Sequence, residues 1–343
     1  MFHKYKDRGL TGLANIGNTC FVNSCIQVLS HTYELNDFLN DATYKDRINK
    51  IPDSLLLIEW DSLRTLMWSQ NCTISPGKFV NTIQKVAAVK GAELFTGFSQ
   101  NDLPEFLLFI IDCFHSSISR EVEITIEGTA KTETDIIARK CYDMIKKTYS
   151  KEYSEIWKMF FGIHVSQIVS DATGEIMSST PEPFFMIDLS IPNKKNLSLV
   201  DCFDLYVEGE KMEGENAWFN EATQLKENVT KKIAYWSLPN ILVIDIKRFN
   251  NKNNKNQSLI TFPLDNLDLS KYVIGYKSEE YQYELYGICN HSGSAFGGHY
   301  TAFVKNANSK WYHYNDTYVT EVPSLEDLVT PKAYCLFYRK KNV

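Results

Sequence analysis

The 343-residue sequence contains no Cys-x-x-Cys pair, no apolar run approaching the length of a membrane span, no internal repeat and no surplus of basic charge. Each absence removes a class of reading. A membrane-spanning helix needs about 20 consecutive apolar residues, and MFHKYKDRGL at the start carries no apolar stretch of the kind a secretory signal uses. With 36 Lys and Arg against 42 Asp and Glu, the formal charge is -6, which argues against a nucleic-acid binder. A partner with a basic surface suits this chain better. The eight cysteines are scattered and read as reduced thiols of a cytosol-like compartment. Their even number leaves disulfides open, although a chain of this length does not need them to fold. A cytoplasmic monomer that contacts neither membrane nor nucleic acid is therefore expected, and a nuclear location is compatible with the same features.

What is present is ample material for a packed core: 44% hydrophobic and 13% aromatic residues, enough for one large domain or two ordinary ones. The first part has helical texture. Leu56, Trp60, Leu63 and Met67 recur about once per turn, residues 78–89 read as a further helix, and Leu107, Ile110, Ile111 and Phe114 follow i, i+3, i+4, i+7. Pro104 suits the first turn of that last helix, which places Gln100, Asn101 and Asp102 on the loop or cap ahead of it. From about Met159 strands take over: residues 161–169, 184–191, 232–236 and a nearly continuous apolar run within 238–249. The tract NNKNNKN at 250–256 reads as a mobile surface loop. Strands at 283–289, 300–305, 310–314 and 333–339 follow, the first two separated by NHSGSAFGGH. A helical first half and a sheet-rich second half make the fold class α+β, with a cleft where the halves meet.

Chemistry-bearing residues lie at both ends. In GLANIGNTCFVNSCIQVL, turn-forming Gly12, Asn15, Gly17 and Asn18 lead into a helix, with Cys20 at the junction. Orphan N–H groups and the positive end of the helix dipole favour an anion there, so the thiol is expected to lose its proton readily. A nucleophilic cysteine needs a base and a group to orient that base. His299, behind Gly297 and Gly298 at the opening of a strand, is the best base. Asn315 or Asp316, at the end of the neighbouring strand, has the oxygen to accept from the far side of its ring; turn chemistry alone would equally explain that pair.

These stretches carry a resemblance. GLANIGNTCFVNSCIQVL resembles the cysteine box of the ubiquitin-specific proteases, and YELYGICNHSGSAFGGHYTAFVKNANSKWYHYNDTYVTEV with AYCLFYRK resembles their histidine box. QNDLPEFL is similar to the motif between the boxes and LPNILVIDIKRF to the central strand motif, in the family's order across nearly the whole chain. The resemblance implies a papain-like domain over residues 1–343, with residues 1–155 mainly thumb, 156–240 mainly fingers and 241–343 mainly palm. It implies a cofactor-free thiol isopeptidase acting after the C-terminal glycine of ubiquitin. Cys20 would be nucleophile, His299 base, Asn315 its orienting partner and Asp316 a second-line group. Asn15 would donate to the oxyanion together with the Cys20 N–H. Gln100, Asp102, Glu105, His291 and Tyr300 would hold the arginine-bearing, glycine-ended tail. Two alternatives share the sequence features: the same mechanism on another ubiquitin-like modifier, or a non-catalytic ubiquitin-binding module.

One departure stands out. Where most members carry two Cys-x-x-Cys pairs for zinc, this chain has Ser170 and Thr173, then Asn220 and Thr223. None is a thiolate or imidazole, so the fingers are expected to fold without metal. Asn101 and Pro104 also depart from the family's pattern in the motif between the boxes.

Overall fold

The computed structural model describes residues 2–341. Its α-helices are α1 (Cys20–Ser30), α2 (Tyr33–Asn40), α3 (Asp53–Ser69), α4 (Gly77–Lys90), α5 (Leu103–Ile118), α6 (Glu133–Tyr149), α7 (Glu155–Phe160) and α8 (Leu199–Glu208). Their starts follow local chemistry. Asp102 is extended at the N-cap of α5 with Pro104 in the first turn, and capping boxes of Thr132 with Asp135 and Ser198 with Asp201 open α6 and α8. No helix of the described residues is long and apolar enough to cross a membrane.

The palm is an eight-stranded sheet. Its order runs Tyr318–Glu321, Trp311–Asn315, Gly297–Lys305, Gln282–Ser294, Ala333–Lys340, Ile241–Lys247, Met186–Ser190, with Leu267–Asp268 pairing on Gln282–Ser294. Alternation along Ile241–Lys247 assigns its two faces. Ile241 and Val243 join the core beneath the thumb helices, whereas Leu242, Ile244 and Ile246 pack on the opposite face with Leu199, Cys202 and Phe203 of α8. Helix α1 lies between thumb and sheet and is buried on every side. Gly287 permits this closeness, because a Cβ there would sit 2.3 Å from a methyl of Val28.

The fingers are a four-stranded antiparallel sheet in the order Ile176–Phe184, Gly162–Ser170, Val229–Ser237, Glu210–Met212. The strand Ile176–Phe184 escapes a sequence reading because it contains Pro181 and Pro183. It is an edge strand, where a missing N–H costs no ladder bond. Three further expectations change. Met186–Ser190 falls inside the segment assigned mainly to the fingers, yet it pairs in parallel with Ile241–Lys247 and belongs to the palm. NHSGSAFGGH is not a separate connection, since both flanking strands continue through it and only a tight turn remains. The 250–256 tract is anchored: Arg248, 1% exposed, donates to the carbonyls of Asn256 and Ser258, and Lys255 donates to the His291 carbonyl at 2.7 Å.

At the fingertip the substituted positions are tied by hydrogen bonds. Glu227 accepts from Asn220 Nδ2 at 2.9 Å and Thr223 Oγ1 at 2.8 Å, while Ser170 Oγ accepts the Thr173 N–H at 3.3 Å. Hydroxyl and amide groups do not make the thiolate or imidazole donor set that structural zinc requires, so the residues present do not fit the metal. Purified protein is expected to contain less than about a tenth of an equivalent of zinc by elemental analysis, with a melting temperature insensitive to chelator. A stoichiometric amount of zinc would overturn this.

Candidate active site

Cys20 is the first residue of α1, and the turn before it is organised by one side chain. Asn15 Oδ1 accepts the N–H groups of Gly17 and Thr19, each at 3.2 Å, and the Thr19 hydroxyl at 3.3 Å. Gly17 (φ +115°) and Asn18 (φ +53°) adopt the left-handed conformations such a turn demands. The thiol itself is closed in, with Cys20 only 2% exposed. Burial pushes its pKa up; the Tyr300 backbone amide pulls the other way and Asp316 adds to the rise. Loss of hydration thus opposes the easy deprotonation expected from a helix start.

His299 lies on Gly297–Lys305, and its Nε2 is 2.7 Å from Asn315 Oδ1. A carbonyl oxygen only accepts, so Nε2 carries the proton and Nδ1 keeps the lone pair needed to take a proton from a thiol. Among the described residues the ring makes no hydrogen bond to Cys20, so His299 is paired with Asn315 and not with the thiol. Asp316, in a left-handed turn (φ +50°), makes no hydrogen bond to the imidazole among the described residues. Its Oδ2 accepts from Asn15 Nδ2 at 3.0 Å and its Oδ1 from Asn23 Nδ2 at 2.8 Å, while its carbonyl accepts the Leu13 N–H at 2.8 Å. The residue expected to back up Asn315 instead holds Asn15. The contribution of Asn23 escaped the sequence reading; a polar residue one turn after Cys20 on a buried helix was the available signal.

The residues expected to receive a substrate tail divide. Gln100, Asp102, His291 and Tyr300 line a cavity of about 250 Å³ between thumb and palm, together with Tyr334 and Phe296. Tyr334 and Tyr300 donate to Asp102 Oδ1 at 3.0 and 3.3 Å, although burial still raises the Asp102 pKa. Gln100 bonds the chain's own Gly298. Glu105 is exposed on the first turn of α5, is not among the residues lining that cavity, and has no ion pair among the described residues. His291 is held neutral, its pKa pushed down to about 4 by burial and then by Lys255, whose Nζ lies 3.0 Å from its Nδ1. Lys255 falls to about 8 through burial and the charges of Arg248 and Lys332.

Residues 11–338 match the family described as ubiquitin carboxyl-terminal hydrolase. The chain belongs to this family. Among curated relatives, this hydrolase domain is 31% identical to ubiquitin carboxyl-terminal hydrolase Usp2 of Drosophila melanogaster, covering 98% of this chain and 35% of that protein. It is 33% identical to ubiquitin carboxyl-terminal hydrolase 2 of Gallus gallus, covering 96% of this chain and 93% of that one. The first relatives are much longer: the Bos taurus enzyme is 55% covered. Among solved structures, a chain of the SAGA Ubp8/Sgf11/Sus1/Sgf73 DUB module bound to ubiquitin aldehyde superimposes with a TM-score of 0.76 at 25% identity, over 99% of this chain and 71% of that one. The fold is the α+β, papain-like fold of ubiquitin-specific proteases.

Within this hydrolase fold Asp245, on Ile241–Lys247, is a further buried acid, with Oδ1 unpartnered among the described residues. Burial pushes its pKa up to about 8, Asp102 and Asp188 adding to the rise and Lys247 and Arg248 opposing it. A carboxyl raised in the folded state stabilises below its unfolded pKa and loses that contribution as pH climbs through the folded value. The stability advantage of Asp245→Asn over the native protein should therefore grow between about pH 4 and pH 8, by at most about 1.4 kcal/mol per unit for one proton, then level off. Denaturant midpoints across that range check it; an advantage independent of pH would refute the assignment.

Proposed function

We propose that this chain is a deubiquitinase: a thiol-dependent hydrolase of the peptide or isopeptide bond after the C-terminal glycine of ubiquitin. The observation that carries the reading is the His299–Asn315 pair at 2.7 Å, next along the strand to Tyr300, whose backbone amide bonds the Cys20 thiol at the start of α1. Family membership and the ubiquitin-bound state of the Ubp8-module structures support ubiquitin as the partner.

In the reaction, His299 Nδ1 accepts the Cys20 proton as the incoming carbonyl displaces the site's closed form. The sulfur attacks the carbonyl carbon of the terminal glycine, and negative charge develops on its oxygen. Asn15 is suited to meet that charge: Asp316 engages its Nδ2 through one hydrogen, leaving the other available. His299 then gives its proton to the departing amine. Water, deprotonated by the same imidazole, hydrolyses the thioester and regenerates the thiol. No step calls for a cofactor. The acid of Asp102, beside the neutral His291, suits a tail rich in arginine. A monomer working in the cytoplasm, with the nucleus also compatible, belongs to the same proposal.

Ubiquitin carrying a C-terminal fluorogenic amine should be hydrolysed, and conjugates of other ubiquitin-like modifiers much more slowly; the reverse preference would reassign the substrate. Asn15→Ala should lower turnover by about a hundredfold with little change in KM, the typical loss for one oxyanion donor. Asp316→Ala should cost a similar factor by releasing Asn15. Because the two act as a unit, the double variant should be no worse than about the poorer single one. Losses that multiply would show that Asp316 acts independently of Asn15.

A further inference from the structure

The outer edge of the strand Gly297–Lys305 faces the thumb before Ala302, where pairing with Trp311–Asn315 begins. Along this edge two backbone positions are used alternately. The Gly298 N–H donates to Gln100 Oε1 at 2.6 Å and the Gly298 carbonyl accepts from Gln100 Nε2 at 2.8 Å. Two residues on, the Tyr300 backbone amide faces the Cys20 sulfur. A primary carboxamide presents the same C=O and N–H as a peptide group, so Gln100 satisfies Gly298 as an added β-strand would. Spacing supports this: residues two apart on a strand are separated by roughly 6.7 Å, so a peptide paired at Gly298 lies two residues upstream of whatever faces Cys20.

Sterics tie the arrangement to glycine. A Cβ on Gly298 would lie 2.4 Å from His291 Nε2, and one on Gly293, the Gly298 partner at φ +125°, would lie 2.5 Å from the Gly297 carbonyl. One on Gly297 would just touch Gln100 Oε1 at 3.4 Å. The approach to Cys20 stops at the same place. The cavity lined by Asp102, His291, Phe296 and Tyr300 has Gln100 and Gly297 as walls and does not reach Cys20, which is 2% exposed.

We propose that Gln100 is an internal stand-in for substrate: its carboxamide occupies the backbone-pairing position of the tail at Gly298, bridges thumb to palm and keeps the cleft closed over Cys20 until an extended, side-chain-poor peptide displaces it. The proposal deepens the deubiquitinase reading and rests on Cys20 being the nucleophile. It gives Gln100 a different task from contacting the tail alone. The bridge must break for the tail to pair, and the affinity for ubiquitin is reduced by the fraction of molecules held shut.

The test uses no ubiquitin, so that its failure is separate from failure of the substrate assignment. The rate at which chloroacetamide alkylates Cys20, located by peptide mass spectrometry, is compared in the native protein, Gln100→Ala and Gln100→Glu. Glutamate keeps the length of the side chain but sets a carboxylate oxygen against the Gly298 carbonyl, so either variant opens the bridge if the other folds poorly. Alkylation should be about tenfold faster in both, the order expected for losing two ordinary hydrogen bonds. Amide hydrogen exchange should rise in the peptide containing Gly298 and stay unchanged in the palm strand Ile241–Lys247. An unchanged or slower alkylation rate, or unchanged exchange at Gly298, would overturn the proposal.

Discussion

One carboxylate joins the two ends of this chain. Asp316, in a left-handed turn directly after Asn315, accepts from Asn15 and Asn23, and its carbonyl takes the Leu13 N–H. The first pair of bonds fixes the turn that delivers Cys20; the turn itself ends the strand that delivers Asn315 to His299. Gly12 shows how close the junction is, since a Cβ there would meet the Thr317 carbonyl oxygen at 2.2 Å. Cys20, Asn15 and His299, the proposed nucleophile, oxyanion donor and base, therefore share an anchor although they come from opposite ends of the sequence. A buried or half-buried carboxylate loses hydration, and two amide donors compensate for that loss without adding charge.

Electrostatics around this anchor set a resting state that differs from the working state. The start of α1 offers orphan N–H groups, yet Cys20 is 2% exposed and its pKa is raised, with burial the largest cause. On the proposed mechanism, activation calls for rehydration of the thiol or its engagement by His299 Nδ1. The neighbouring palm carries the same signature. Asp245 and Asp102 are raised, while His291 and Lys255 are lowered. Each shift favours the neutral form, as loss of hydration on burial dictates. An incoming guanidinium would reverse that preference for the acids.

The sequence carried much of this plan for identifiable reasons. Helices α3, α4 and α5 were legible because one face of each is apolar at helical spacing, and Ile241–Lys247 because a strand covered on both faces reads as an unbroken apolar run. Cys20, His299 and Asn315 were legible because glycine and asparagine mark the turns beside them. Other features depend on partners far apart in sequence. Nothing local says that Asp316 turns toward Asn15 and Asn23, that Gln100 reaches Gly298, or that Arg248 draws the 250–256 tract onto the palm. Prolines concealed the strand Ile176–Phe184, because propensity does not distinguish an edge from a central strand. The helix-start argument for Cys20 is opposed by burial, which depends on the palm strand carrying Tyr300 and is not local to the sequence.

The central claim is that Cys20, alone among eight cysteines, is the nucleophile toward the ubiquitin C-terminus. It is tested most directly by incubating the native protein with ubiquitin bearing a C-terminal electrophile and mapping the covalent adduct by peptide mass spectrometry. A single stoichiometric adduct on Cys20, absent in Cys20→Ala and strongly slowed in His299→Ala, is expected. An adduct on another cysteine, or none on a folded protein whose Cys20 still reacts with small alkylating agents, would contradict it.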